Sequence, residues 1–337
     1  MNKNKNTNEN KFKAHFLDYK EPYAIGIGFV LWFIILLLIA TLGQTPPFEK
    51  NALELGSLRV AWYAIFILTG IIFAVILAIR EAKYLGIDVN HLTDGILIAV
   101  PLSIIGARLY YVIFDPAGHA GYNNIGDVFN ISGGGLAIHG AIITAIIFVI
   151  IYTKVRKMNL WALLDILAPG FLIGQILGRW GNFFNQEAHG GPISTNTYNF
   201  LKVILPNFIL ENMNIGGIYY HPTFLYEGLW NLAGLITILI VRRKRIFKLG
   251  DLIGLYLIWY GLGRGLLIEP FRTDPLIIFG LRVNVIFSLG IFVVGGIAYM
   301  IIKNLLNRDI PYYLDIVKEN VPLIEKEKQD KALLKKK

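Results

Sequence analysis

The chain reads as an all-α, polytopic integral membrane helix bundle of about eight transmembrane helices, with both termini cytoplasmic. Three observations predict this. Of its 337 residues, 55% are hydrophobic and only 16% are charged, whereas soluble chains carry about a quarter charged residues. Eight segments supply the roughly 20 mostly apolar residues that a bilayer-spanning helix requires. Basic residues alternate between abundant and scarce on successive connections.

The first segment, about 24–43, follows a basic region. Its apolar run exceeds a signal-peptide core and no small-x-small cleavage site follows, so it is expected to persist as an anchor. The remaining spans are expected near 60–80, 93–114, 134–153, 161–181, 224–241, 250–269 and 284–302. These runs are too long and uniform for barrel strands. Connections are short except 182–222, which is rich in Asn, Gly and Pro and reads as a surface excursion. The ends, 1–20 and 318–337, read as solvated, disordered tails.

Orientation follows from the basic residues. Lys3, Lys5, Lys11, Lys13 and Lys20 precede the first span, and only Lys50 and Arg59 follow it. Arg80 and Lys83 come next, then none in 115–133, then Lys154, Arg156 and Lys157. Lys202 stands alone in 182–222, and Arg242, Arg243, Lys244, Arg245 and Lys248 cluster after the sixth span. Arg272 and Arg282 are the basic residues of the seventh connection, and nine follow the last span. The net charge of +9 therefore faces the anionic inner leaflet, and it implies membrane lipid, not nucleic acid, as partner. The absence of cysteine excludes a disulfide scaffold, a Cys-zinc site and a cysteine nucleophile.

Ionisable residues inside spans are costly and mark function. With this orientation Tyr63, Arg108, His139, Arg179, His221, Tyr226, Glu227, Arg264 and Glu269 are expected to converge at the outer half of the membrane. Arginine suits phosphate oxygens because its planar fork matches them bidentately. A lipid-facing site lined with Arg therefore points to a phospholipid headgroup. The glutamates read as partners that reduce the cost of burying the arginines, and a histidine can accept a proton near neutral pH. Taken singly, Arg108 reads as a structural pair or a snorkelling residue rather than a ligand contact, and His139 as a core histidine or a base. Gly133–Gly135 either cradles an anion through its N–H groups or loosens a helix entry. His119 reads as solvated, and His15 and His91 fall on the cytoplasmic side. Asp94 and Asp165, near inner ends, read as caps or helix-pairing residues. Walker A, H-E-x-x-H, G-x-S-x-G and C-x-x-C patterns are absent. A transporter of anionic solutes would need polar groups through the cytoplasmic half, where mid-span residues are mainly Ile, Leu and Phe.

At these residues the chain resembles the prolipoprotein diacylglyceryl transferases. The run GRWGNFFNQEAHG (178–190) is similar to the family signature G-R-x-G-N-F-x-N-x-E-x-x-G. RVAWYAI (59–65), GARLYYVIF (106–114), GGLAIHG (134–140), HPTFLYE (221–227) and YGLGRGLLIEPFRTD (260–274) follow in the family's order. The resemblance implies a multi-pass enzyme of the bacterial plasma membrane, its active site toward the outer face. Its implied substrates are phosphatidylglycerol and prolipoprotein signal peptides with a lipobox cysteine. The diacylglyceryl group would pass to the cysteine thiol, forming a thioether and releasing glycerol phosphate, with no metal or cofactor. It makes Arg179 the lipid-binding arginine and Asn182, Glu187 and Gly190 functional signature residues. Tyr63, His139, Arg264 and Glu269 fall on catalytic positions, with Asn182 and Glu187 beside them. Arg108, Asn185, His221 and Glu227 join Arg179 and Gly190 as substrate-binding candidates. The implied organisation is a basic tail and added anchor (1–45), a seven-span transferase core (46–305) and a basic cytoplasmic tail (306–337). One departure has a structural consequence. Arg264 and Glu269 stand five apart, where the family has four. On a regular helix that adds about 100° of rotation, so either a π-turn or a change of partner is required.

Overall fold

The computed structural model describes residues 25–56, 58–114, 124–129, 135–272, 277–278 and 280–334. The tail 1–20, His119, Gly133 and Gly134 lie outside the described residues.

A short apolar helix, α1 (Ile25–Thr41), comes first. The strands β1 (Asn51–Leu55) and β2 (Leu58–Ala61) then form an antiparallel hairpin, followed by α2 (Trp62–Tyr84) and α3 (Val89–Ile113). Next come a single turn α4 (Ile125–Phe129), α5 (Ile138–Val155) and α6 (Leu160–Asn185). The long connection contains α7 (Thr195–Ile204), α8 (Asn207–Asn212) and the hairpin β3 (Asn214–Ile215) with β4 (Ile218–Tyr219). Then follow α9 (Thr223–Val241), α10 (Asp251–Phe271), the hairpin β5 (Ile277–Ile278) with β6 (Leu281–Arg282), α11 (Val283–Leu306) and α12 (Tyr313–Leu334). Among the described residues, seven helices are long and apolar enough to cross a membrane: α2, α3, α5, α6, α9, α10 and α11. Their outward faces carry Leu97, Ile113, Ile147, Val155 and Leu306 in the exposed state. Hydrocarbon is as apolar as leucine, so such exposure is the rule in lipid. The most hydrophobic window of α6 is 56% buried against 11% for α3, which marks α6 as a core helix.

The chain divides into two compact units. The first comprises Met1–Thr69 and Gly178–Phe224. Its core is aromatic. Phe66 and Phe184, both fully buried, stack with ring centroids 5.5 Å apart, and Phe48 lies 5.8 Å from Phe184. Asn212, fully buried, ties this core together. Its Oδ1 accepts from the Phe48 N–H at 2.9 Å, and its Nδ2 donates to the Phe183 carbonyl at 2.8 Å. A buried amide satisfied at both ends fixes the backbone around it.

The second unit comprises Gly70–Leu177 and Leu225–Lys337. Within it α3 and α5 cross at glycines. A Cβ at Gly106 would collide with the Thr144 side chain, and one at Gly140 with the Gly106 carbonyl. This is the small-residue packing by which membrane helices approach closely. Helices α9 and α10 are pinned by two stacked tryptophans, each donating its indole N–H to the other's carbonyl (Trp230 at 3.0 Å, Trp259 at 2.9 Å). At the start of α10, Asp165 accepts from the Gly250 and Ile253 N–H groups at 2.7 and 3.0 Å. The ion pair of Lys303 with Asp251, at 2.7 Å, completes that end.

The C-terminal residues 318–334, expected as a disordered tail, continue the helix α12. The difference has an identifiable cause. Tyr313 is fully buried and donates to Glu81 at 2.6 Å, Arg245 pairs with Asp315 at 3.0 Å, and Asn320 donates to the Tyr84 carbonyl at 3.2 Å. These contacts anchor the first turns, from which a helix propagates more easily than it nucleates.

Candidate active site

In the first unit the site grows from the end of α6. Gly181 is required because a Cβ there would lie 2.5 Å from Tyr63 Cδ2 and 3.1 Å from Tyr63 Cα. Tyr63 in the first turn of α2 thus packs directly on the signature helix. Beyond Asn185 the chain turns through Gln186 and Ala188, at φ 53° and 52°. Left-handed backbone costs a non-glycine residue about 1 kcal/mol. Three bonds offset it: Glu187 N–H to the Asn182 carbonyl at 3.1 Å, Gln186 Nε2 to the Asn212 carbonyl at 2.8 Å, and Thr223 Oγ1 to the Ala188 carbonyl at 2.9 Å.

This turn folds Glu187 back over the last turn of α6. Its Oε1 accepts from Asn182 Nδ2 at 2.9 Å and Asn185 Nδ2 at 3.1 Å. Asn182 Oδ1 in turn accepts from Arg179 Nη1 at 3.3 Å. The signature spacing therefore builds a relay in which an exposed carboxylate orients a half-buried guanidinium through an amide. Gly190 closes the loop. Its N–H donates to the His221 carbonyl, and the His221 N–H donates to the Gly191 carbonyl, both at 3.0 Å. Burial lowers the His221 imidazole pKa, which favours the neutral ring.

In the second unit two groups form. Arg108, only 6% exposed, donates through each guanidinium nitrogen to a backbone carbonyl. Nε reaches Val128 at 2.6 Å, Nη1 reaches Gly135 at 3.0 Å and Nη2 reaches Asp127 at 3.0 Å. It thereby fixes the chain on either side of the segment that enters α5. His139 lies exposed in the first turn of α5, its ring 5.9 Å from Tyr110.

The other group lies where α10 departs from α-helical geometry. Gly263–Ile268 is a π-turn, and the Glu269 N–H donates to the Arg264 carbonyl, an i→i+5 bond. The extra residue between Arg264 and Glu269 is absorbed in this turn, and their side chains take other partners. Arg264 Nη1 pairs with Glu227 Oε2 at 3.8 Å, and Glu227 is buried. Glu269, fully buried, accepts at Oε1 from Asn284 Nδ2 at 3.2 Å, while its carbonyl accepts from Arg282. Among the described residues, Glu269 Oε2 has no hydrogen-bond partner. Asn284 and Arg282 were not read from the sequence as site residues, and the signature contained Gly181 without showing that Tyr63 packs on it. Asn284 had one available signal, a polar residue in the first turn of the last span.

A model of the prolipoprotein diacylglyceryl transferase family matches residues 50–302. The chain belongs to this family. A phosphatidylglycerol–prolipoprotein diacylglyceryl transferase of Bacillus cereus (strain Q1) is 44% identical over 275 residues, covering 81% of this chain and 99% of the relative. That of Bacillus mycoides (strain KBAB4) has the same identity and coverage. One from Bacillus anthracis is 45% identical over 263 residues, 78% of this chain and 94% of the relative. The family match takes in all three groups of site residues and leaves α1 and α12 outside it.

Proposed function

We propose that the chain is a membrane-embedded transferase that moves the diacylglyceryl group of phosphatidylglycerol to prolipoproteins, the first step of lipoprotein maturation. The observation that carries the chemistry is the Arg179–Asn182–Glu187 relay. Preorganised guanidinium stabilises phosphate charge without reorganisation during reaction.

The acceptor is the thiol of a lipobox cysteine. Its sulfur attacks the carbon of the diacylglyceryl group that bears the phosphate ester. A C–S bond forms, the C–O bond breaks, and the electron pair leaves with glycerol phosphate. The leaving group is a phosphate monoester with second pKa near 6, so it needs little acid assistance. Arg179, oriented by Asn182, stabilises its charge, and Arg264, steadied by Glu227, is a second catalytic candidate. The thiol, with ordinary pKa near 8.5, must lose a proton, and His139 is the candidate base. Tyr63 and Glu269 complete the catalytic set, and Asn185, Gly190 and His221 hold the lipid-binding loop. Arg108 acts through the backbone before α5. No metal or cofactor enters this scheme. The enzyme resides in the plasma membrane with its site toward the outer face. Residues 1–45 add an anchor to a core of 46–305, and 306–337 extend on the cytoplasmic side.

Phosphatidylglycerol labelled in its headgroup glycerol, given with a lipobox peptide, tests the role of Arg179. Wild-type protein should release labelled glycerol phosphate only when peptide is present. Arg179→Lys keeps the charge and loses the fork, so release should fall about 10- to 100-fold, as for loss of charged hydrogen bonds. Release near wild-type by this variant, with unchanged lipid affinity, would reject the role.

A further inference from the structure

We infer that Phe33, on the helix α1 outside the family match, is a positioning residue for the reaction, a role that rests on the transferase reading above. Its ring meets Trp180 edge-on at 5.2 Å and 70°, and Phe66 at 6.4 Å and 63°. Trp180 directly follows Arg179, and Phe66 lies one turn beyond Tyr63. One aromatic ring thus touches the neighbours of two site residues that stand on different helices.

The sequence of α1 places this ring deliberately. Phe33, Leu36 and Ala40 fall three and seven residues apart, on one helical face. Leu36 is 5% and Ala40 0% exposed, while Leu31, Trp32, Ile35, Leu38 and Ile39 on the other sides are exposed. The contact continues inward. Trp180 lies edge-on to Phe224 at 5.2 Å, and Phe66 stacks on Phe184.

Membrane physics decides what this contact contributes. Without α1, Trp180 and Phe66 would face lipid tails, at little hydrophobic cost. What α1 adds is therefore shape. Edge-to-face rings prefer a defined geometry, and a lipid tail offers none. Phe33 holds the Arg179 turn of α6 and the Tyr63 turn of α2 in one arrangement. Small misplacements at a catalytic constellation reduce turnover sharply.

Steady-state transfer from phosphatidylglycerol to a lipobox peptide, with full-length protein in detergent or nanodiscs, tests this. Phe33→Ala should lower kcat about 5- to 20-fold and change KM for either substrate less than about 2-fold. Phe33→Tyr should restore most of the rate. Trp32→Ala, on the lipid-facing side, should leave it unchanged. In a double-mutant cycle Phe33→Ala and Trp180→Ala should be non-additive in kcat. An unchanged kcat in a folded Phe33→Ala variant would overturn the inference and leave the transferase reading intact. Equal losses in Trp32→Ala, or an additive cycle, would overturn it as well. If Phe33→Ala fails to fold, the rate of Phe33→Leu decides: this substitution keeps most of the volume but not the ring geometry, and wild-type turnover by it refutes the role. Wild-type protein that forms no adduct overturns the transferase reading, and this inference with it.

Discussion

His139 stands at the point where the backbone before α5, held by Arg108 at the Gly135 carbonyl, turns into the helix. Its imidazole is exposed, as a base that must meet a substrate thiol requires. Arginine charge could also favour the thiolate, so the two contributions need separation by pH. For a general base, His139→Gln should reduce transfer by about 10²–10⁴-fold at neutral pH. Part of the rate should return as pH rises past about 8.5, where the thiol ionises unaided. A pH profile of kcat/KM for the variant checks this. A deficit independent of pH, in a folded and lipid-binding variant, would remove His139 from proton transfer.

At the scale of elements, charged pairs lock the helix ends opposite to the one that bears Tyr63 on α2. Glu81, 1% exposed, accepts two bonds from Arg243 at 2.6 and 2.8 Å, one from Tyr313 at 2.6 Å, and pairs with Arg242 at 3.2 Å. Removing one partner of a buried pair costs about 3–5 kcal/mol. Glu81→Gln should therefore lower the thermal midpoint and expose α12 to protease, read by melting in detergent and limited proteolysis. An unchanged midpoint with α12 still protected would show that the cluster contributes nothing. These residues also show what a sequence hides. Arg242 and Arg243 were legible as topogenic charges, but their shared partner Glu81 lies over 160 residues away. The spans and the Arg179 signature were legible because both are local patterns: a run of apolar residues, and fixed spacing along a single helix. The spacing of Arg264 and Glu269 showed that the helix must break its period or change partners. It does both, and the partners, Glu227 and Asn284, come from other helices that no local pattern names. Residues 318–334 read as a tail because their composition is polar. Their order comes from Tyr313 and Asn320, which reach distant backbone and side chains.

At the scale of the whole molecule, we propose from the alternation of basic connections that both termini are cytoplasmic and that α1 crosses the membrane. A cysteine introduced at the C-terminus of this cysteine-free chain should be shielded from membrane-impermeant thiol reagent in intact cells. One introduced at Thr197 in α7 should label. Labelling of the C-terminal position would reverse the orientation and place the signature on the inner side.

Covalent transfer of a diacylglyceryl group to a cysteine sulfur leaves a mass signature on the acceptor, which mass spectrometry reads. Purified protein would be incubated with phosphatidylglycerol and a lipobox peptide, and with the same peptide carrying serine for cysteine. The predicted result is a mass gain of one diacylglyceryl group on the cysteine peptide alone, localised to sulfur by fragmentation and matched by release of glycerol phosphate. An unmodified cysteine peptide, or equal modification of the serine peptide, would contradict the account.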